Sequence, residues 1–166
     1  PWFFSVLGNH EIMMLEWLLN DAPHYYRMQV LNGGDWLSGY DDDTLHRYAD
    51  LLVRQCPLTF TLDTSLGQIG ICHTDPLYND WHVMQTLSTD AFNAELPSLW
   101  SRQRYHHVRM DKPVGPVANV DYVVSGHVAC EQPVWAGNQV FIDTKYRGGA
   151  LTVQPMANLL PPAMRS

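Results

Sequence analysis

Gln68-Ile69-Gly70-Ile71-Cys72-His73 decides how this chain is read, because a β-rich apolar run stops there at a histidine. Thr59 to Leu62 precedes it across Asp63-Thr64-Ser65-Leu66-Gly67, so the two runs read as a hairpin that delivers His73 to a sheet edge. The same pattern recurs in Val120-Asp121-Tyr122-Val123-Val124-Ser125-Gly126-His127. Near the start, Trp2-Phe3-Phe4-Ser5-Val6-Leu7 reads as a third strand and runs into Gly8-Asn9-His10-Glu11.

Three strand ends carrying Asn9, His73 and His127 would converge on one edge of a sheet. The Asn carbonyl is a hard oxygen ligand, and an imidazole either ligates a metal or moves a proton. One oxygen and two nitrogens make a first shell for a divalent ion of the Mn, Fe or Zn kind. Each residue also has a plainer reading. Asn and Gly are ordinary turn residues, and a histidine that caps a strand commonly bonds a carbonyl.

The order and spacing of further blocks add to this. Met13-Met14, Leu31-Asn32-Gly33-Gly34-Asp35-Trp36, Ile71-Cys72-His73-Thr74-Asp75, Leu99-Trp100-Ser101-Arg102, Val124-Ser125-Gly126-His127 and Phe141-Ile142-Asp143-Thr144 follow the Gly-Asn-His-Glu turn. Together they resemble the calcineurin-like metallophosphoesterases, and within them the bacterial and lambda-phage-type serine/threonine protein phosphatases. The resemblance implies an α/β fold, a two-sheet β-sandwich with helices outside and metals at the sheet edge. It also implies two divalent ions about 3.5 to 4 Å apart that activate water for in-line attack on phosphorus. Manganese is the ion implied first, with Fe or Zn as alternatives. Asn9, His73 and His127 match ligands of one metal, Arg102 a residue that grips phosphate, and His10 the histidine that protonates the leaving alcohol. Asp75 and Asp143 are read as carboxylates that orient histidines, or as turn caps. Glu11 is given no chemistry beyond the first turn of a helix.

The chain also departs from the pattern. Relatives place an Asp-x-His and a Gly-Asp-x-x-Asp-Arg-Gly ahead of the Asn-His turn, and neither occurs here; the chain opens on Pro1. It is therefore read as residues 1–154 of the C-terminal part of such a domain, lacking its first strands, with one incomplete metal site and poor activity, followed by a mobile tail, 155–166. Leu7 stands where the protein phosphatases carry an arginine, and leucine has no counterpart to that planar fork. Val6-Leu7-Gly8-Asn9-His10 instead matches symmetrical dinucleoside tetraphosphatases, although Glu11 departs from their Asp. A phosphorylated protein is thus the substrate implied, a small phosphoester the alternative, and a non-catalytic phosphate-binding module a third reading. Lys145, Tyr146 and Arg147 replace the glycine that relatives carry after Ile-Asp-Thr and would alter the rim of a substrate groove.

Composition bounds these readings. The chain has 166 residues, 46% of them hydrophobic, and a formal charge of −7. That is enough for one globular domain, and the acidity argues against a nucleic-acid partner. No apolar run is long enough to cross a bilayer, so no membrane partner is read. Cys56, Cys72 and Cys130 form no Cys-x-x-Cys pair and read as reduced thiols of a cytoplasmic protein. An unpaired sheet edge would be a liability for self-association.

Elsewhere the pattern predicts a helix from Glu11 to Asn20, facing inward through Ile12, Leu15, Leu18 and Leu19, and then an irregular stretch ending at Asn32-Gly33-Gly34. Asp41-Asp42-Asp43 caps a helix from about Thr44 to Gln55, with Leu45, Tyr48, Leu51 and Leu52 inward; the run lacks the spacing of a calcium loop. Short helices follow at Trp81 to Leu87 and Ala91 to Arg104, the latter with Trp100, Arg102 and Arg104 on different faces. Arg104, Arg109 and the pair His106-His107 are read as solvated. Tyr122 to Ser125, Val134-Trp135, Val140 to Asp143 and Ala150 to Val153 are read as strands.

Overall fold

A computed structural model describes residues 3–87, 96–145 and 149–161 of the chain. It contains two compact units, one reaching Leu58 and one built from residues 59–87 and 97 onward. Among the described residues no helix is long and apolar enough to cross a membrane.

The first unit is helical. α1 (Asn9–Leu19) starts after Gly8, whose extended backbone ends the preceding run. Glu11, three residues on, accepts the Gly8 N–H at 2.8 Å, satisfying a donor that the helix leaves open. The helix buries Ile12, Met13, Met14 and Leu15, whereas Leu19 is exposed, so the inward face is broader and ends earlier than the periodicity predicts. Residues 3–7 form no strand; the backbone bond that fixes their end runs from Leu7 N–H to Pro57 O at 2.9 Å. An apolar run becomes a strand only beside a partner ladder.

The stretch expected to be irregular contains α2 (Pro23–Leu31), with proline in its first turn. Its buried residue is the polar Gln29, so there was no apolar stripe to find. Gly33 turns the chain at φ +94, and Gly34 lies so close to α2 that an added Cβ would stand 2.5 Å from Gln29 Cγ. α3 (Asp42–Gln55) is capped as expected, Asp41 Oδ1 accepting Thr44 N–H at 2.7 Å. Leu45 and Ala49 are its buried residues, and Leu52 packs against the cluster of Met14, Leu37 and Leu45; Tyr48 and Leu51 are exposed, Tyr48 resting edge-on against Tyr40.

The second unit holds one mixed sheet in the order β1-β2-β3-β5-β4. β1 (Thr59–Thr64) and β2 (Gly67–Cys72) form the expected hairpin, pairing Thr59 with Cys72. β3 (Tyr122–Ser125) runs parallel to β2, and β5 (Gln139–Phe141) parallel to β3; β4 (Val134–Ala136) closes an antiparallel hairpin on β5. The α/β class therefore stands, and all strands among the described residues belong to this one sheet. Ala150 to Val153, expected as a strand, is irregular.

The parallel β2–β3 pair forces a long crossover. That crossover carries α4 (Trp81–Gln85) and α5 (Gln103–Arg109). The predicted helix from Ala91 to Arg104 is not continuous: residues 88–95 lie outside the described set, Pro97–Leu99 form a 3₁₀ turn, and α5 begins only at Gln103. Trp81 and Met84 cover one sheet face with Cys72, Val117 and Val123. Trp81 lies so close that a Cβ on Gly70 would meet its ring carbons at 2.7 Å. Ile69, Tyr122, Val124 and Val140 face the other way. Met156 and Leu160, from the segment read as a tail, pack on that second cluster.

Candidate functional site

Parallel strands end at the same edge, and the register pairs Cys72 with Ser125. The residues just beyond, His73 and Gly126-His127, are thereby brought side by side, with Gly126 N–H donating to His73 O at 3.0 Å. In open α/β sheets this carboxyl edge is where ligands bind.

His73 Nε2 and His127 Nδ1 stand 3.1 Å apart, with ring planes tilted by 62°. Arg102 Nε–H donates to the other nitrogen of His127 at 3.3 Å, and the Trp100 ring stands edge-on to the same imidazole. Since the arginine only donates, the neutral tautomer of His127 that fits carries its proton on Nδ1 and gives it to His73 Nε2. Two nitrogens on one ion, each about 2.1 Å from it, lie about 3 Å apart when their bonds are near perpendicular. The pair therefore fits a divalent cation, which on His127 Nδ1 would displace the shared proton, leave the neutral ring protonated on Nε2 and so release the Arg102 guanidinium from it. Among the described residues no three His, Cys, Asp or Glu side chains group around a common point, so this edge supplies two nitrogens.

The backbone at His127 is unusual. Its φ is +61, and Val128 N–H bonds Gly126 O at 2.6 Å across it, which makes His127 the centre of a tight three-residue turn. That turn is rare and strained for a residue with a Cβ. Strain of this kind persists only where the surroundings hold it, and it clusters at functional sites.

Behind the histidines lies a buried polar network. Thr74 O accepts from Ser125 Oγ at 3.1 Å, Gln139 Nε2 at 3.2 Å and Cys72 Sγ at 3.1 Å. The Thr74 hydroxyl in turn donates to Ser101 O. Asp75, 5% exposed, accepts from Ser101 Oγ at 2.6 Å and from Arg104 N–H at 3.2 Å, so its bonds go to the α5 turn and not to a histidine. Burial pushes the Cys72 thiol up to about 12, so it is an inert wall of this network. Asp143, the other predicted carboxylate, follows β5; its carbonyl accepts Cys130 N–H at 3.0 Å.

Arg104 corrects the sequence reading. It is 6% exposed, and its guanidinium donates to Asn79 Oδ1 at 2.7 Å, Gly115 O at 2.9 Å and Ala136 O at 2.7 Å. Burial pulls its pKa down, and the Asp75 charge partly offsets this. Arginines are mostly exposed, so nothing local in Gln103-Arg104-Tyr105 could have revealed it. A cavity of about 310 Å³ opens beside it, lined by Asp75, Tyr78, Asn79, Ser98, Ser101 and Arg104 among others.

In the first unit, Asn9 is the first residue of α1 and is buried, and His10 follows it half-exposed. The His10 carbonyl accepts Gln29 Nε2 at 3.1 Å. Leu7 is fully buried, a core residue. Lys145 is exposed, and Tyr146 and Arg147 lie outside the described residues.

Comparison with known proteins agrees with the motifs. The chain is similar to serine/threonine-protein phosphatase 2 of Salmonella typhimurium, 28% identical over 147 residues, and to that of Escherichia coli, 27% identical over 146 residues. Each match covers 87% of this chain but 62% of the relative, so the chain spans less than two thirds of either protein's length. No family model matches. The chain thus resembles bacterial serine/threonine phosphatases, in keeping with the metallophosphoesterase character of its motifs.

Proposed function

We propose that the chain carries part of the centre of a metal-dependent phosphoester hydrolase, of the serine/threonine phosphoprotein phosphatase type. The observation that carries this reading is the 3.1 Å approach of His73 Nε2 and His127 Nδ1 at adjacent parallel strand ends, with the Arg102 guanidinium on the same imidazole. His73 and His127 hold a divalent cation, manganese first and Fe or Zn as alternatives. Such an ion supplies Lewis acidity toward a phosphoryl oxygen and makes a nearby water a stronger acid. Arg102 offers the phosphate a planar pair of donors, which suits two oxygens at once. From the resemblance, Asn9 is an oxygen ligand and His10 the proton donor to the leaving alcohol. Asp143 is carried as a candidate orienting carboxylate. The five-stranded sheet is proposed as one half of the two-sheet sandwich.

Leu7 favours one alternative, a dinucleoside tetraphosphatase, since it removes a guanidinium that a phosphoprotein enzyme would use. The deciding experiment titrates the purified chain with Mn²⁺ by calorimetry, then offers a phosphoserine peptide and diadenosine tetraphosphate. Saturable binding that is lost in both His73→Ala and His127→Ala is the expected result. Binding that survives both substitutions would sink the metal assignment. Preference between the two substrates, in the chain or in a longer form that contains it, then selects the branch.

A further inference from the structure

We propose that Asp75 is a positioning residue for Arg102: one buried carboxylate oxygen clamps the residues on both sides of the arginine and so fixes where its guanidinium can point. The inference deepens the phosphate-gripping role given to Arg102, and rests on it for its functional meaning.

The geometry is specific. Arg102 is itself exposed and sits at φ −128, ψ 15, outside helical geometry, just before α5. Nothing in its own backbone conformation would hold it in one place. Its neighbours are held. Asp75 Oδ2 takes both the Ser101 hydroxyl at 2.6 Å and the Arg104 backbone N–H at 3.2 Å. Ser101 Oγ also accepts Gln103 N–H at 3.4 Å, and Thr74 Oγ donates to Ser101 O. Residues 101, 103 and 104 are thus tied to the segment that leaves β2, directly or through Ser101, while Arg102 between them reaches His127 Nε2. Thr74 O, with its three donors from Cys72, Ser125 and Gln139, anchors that segment to the sheet. A path of short bonds therefore links the strand end bearing His73 to the guanidinium over His127.

A carboxylate this deep is costly unless its oxygens are satisfied. Asp75 Oδ1 is buried with no hydrogen-bond partner, so a helix cap alone does not account for the residue. A serine or threonine hydroxyl could cap α5 from within its own segment without burying a charge. What Asp75 adds is attachment of that turn to the strand end beneath the histidines.

The test reads Arg102 directly. In ¹⁵N spectra of the full chain, the Arg102 Nε–H signal is identified by its loss in Arg102→Lys. Ser101→Ala should move it to the position of solvated arginines, whereas Ser101→Thr, which keeps the hydroxyl, should leave it in place. Affinity for inorganic phosphate should fall about threefold to tenfold in Ser101→Ala, the range of a single hydrogen bond. It should fall no further when Ser101→Ala is added to Arg102→Lys, a silence that a merely structural role would not produce. If Ser101→Ala loses amide dispersion and so fails to fold, Asp75→Ala, which removes the accepting oxygen, decides by the same signal. An Arg102 signal unmoved in the folded variant overturns the proposal. A signal that moves in a chain without phosphate affinity upholds the clamp and removes the phosphate role instead.

Discussion

Two regions of this molecule begin from the same sequence pattern, an apolar run that stops at a histidine, and they end as different structures. At Cys72-His73 and Ser125-Gly126-His127 the runs are true strands, paired in parallel register, and the register sets the distance between the imidazoles. At Leu7-Gly8-Asn9-His10 there is no strand among residues 3–7; Asn9 and His10 open a helix, placed by the Gly8–Glu11 bond and by Gln29 on the His10 carbonyl. The first region is built by strand register between distant segments, and the second by a local cap helped by one side-chain contact from α2. Breaking the core of the sheet should therefore disperse the first, while only local substitutions should disturb the second.

The largest expected effect comes from Arg104. Arg104→Met leaves the Gly115 and Ala136 carbonyls and the Asn79 side chain without their donor, and removes the positive charge nearest Asp75, whose bonds from Ser101 and the backbone N–H of residue 104 remain. Three acceptors left without their donor, at about 1 to 3 kcal/mol each when buried, cost about 3 kcal/mol or more together, measurable as a shift in the urea midpoint. Arg102→Met, two residues away and exposed, should change stability by about 0.5 kcal/mol at most while abolishing phosphate binding. Equal losses of stability would erase the distinction between the buried and the exposed arginine. Next in size is Gly70→Ala in β2, where the new methyl would stand 2.7 Å from the Trp81 ring. Trp81 is fully buried, so the ring has nowhere to retreat, and overpacking of this kind costs about 1 to 3 kcal/mol.

Legibility divides along the same line. The β1–β2 hairpin and the Asp41 cap were readable because a turn and a cap are contained in a few consecutive residues. That His73 and His127 belong together was readable as two similar strand ends, although the approach itself follows from a register between strands some fifty positions apart. α2 was invisible because it buries Gln29 and no apolar stripe. Tyr48 and Leu51 were placed inside on periodicity, yet the small Ala49 is the residue buried there and the larger side chains remain outside. The Asp75–Ser101–Arg104 network was beyond reach, since its partners lie 26 and 29 residues apart and each is ordinary in its own neighbourhood.

A smaller effect should appear in the first unit. Gln29→Ala removes the donor to the His10 carbonyl and the side chain that packs under Gly34, but it also removes Oε1, which is buried without a hydrogen-bond partner. The two terms oppose each other, so the net loss should be about 1 kcal/mol. Amide shifts should centre on residues 10–12 and 33–35. A loss as large as that from Arg104→Met would make the α2 contact, and not the Gly8–Glu11 cap, the chief support of His10.

The smallest effect concerns the cap of α3, and its sign follows from the charge. Thr44 bonds hold the Asp41 carboxyl below its ordinary 3.8, with a lesser contribution from the Arg47 charge. The folded state therefore favours the ionised form. The resulting stability is fully present above the ordinary carboxylate value and is lost as pH falls through the lower folded value. Asp41→Ala should lower helix content at neutral pH, and the difference from the unmodified chain in far-ultraviolet circular dichroism should shrink as pH drops below about 3.8. Asp41→Asn caps almost as well without ionising, so it should match the unmodified chain at neutral pH and lose the acid-dependent part. Because the side chain is exposed, added salt should weaken the pH-dependent component further. A difference between Asp41→Ala and the unmodified chain that persists undiminished to pH 2 would mean that the hydrogen bond holds the cap without help from the charge.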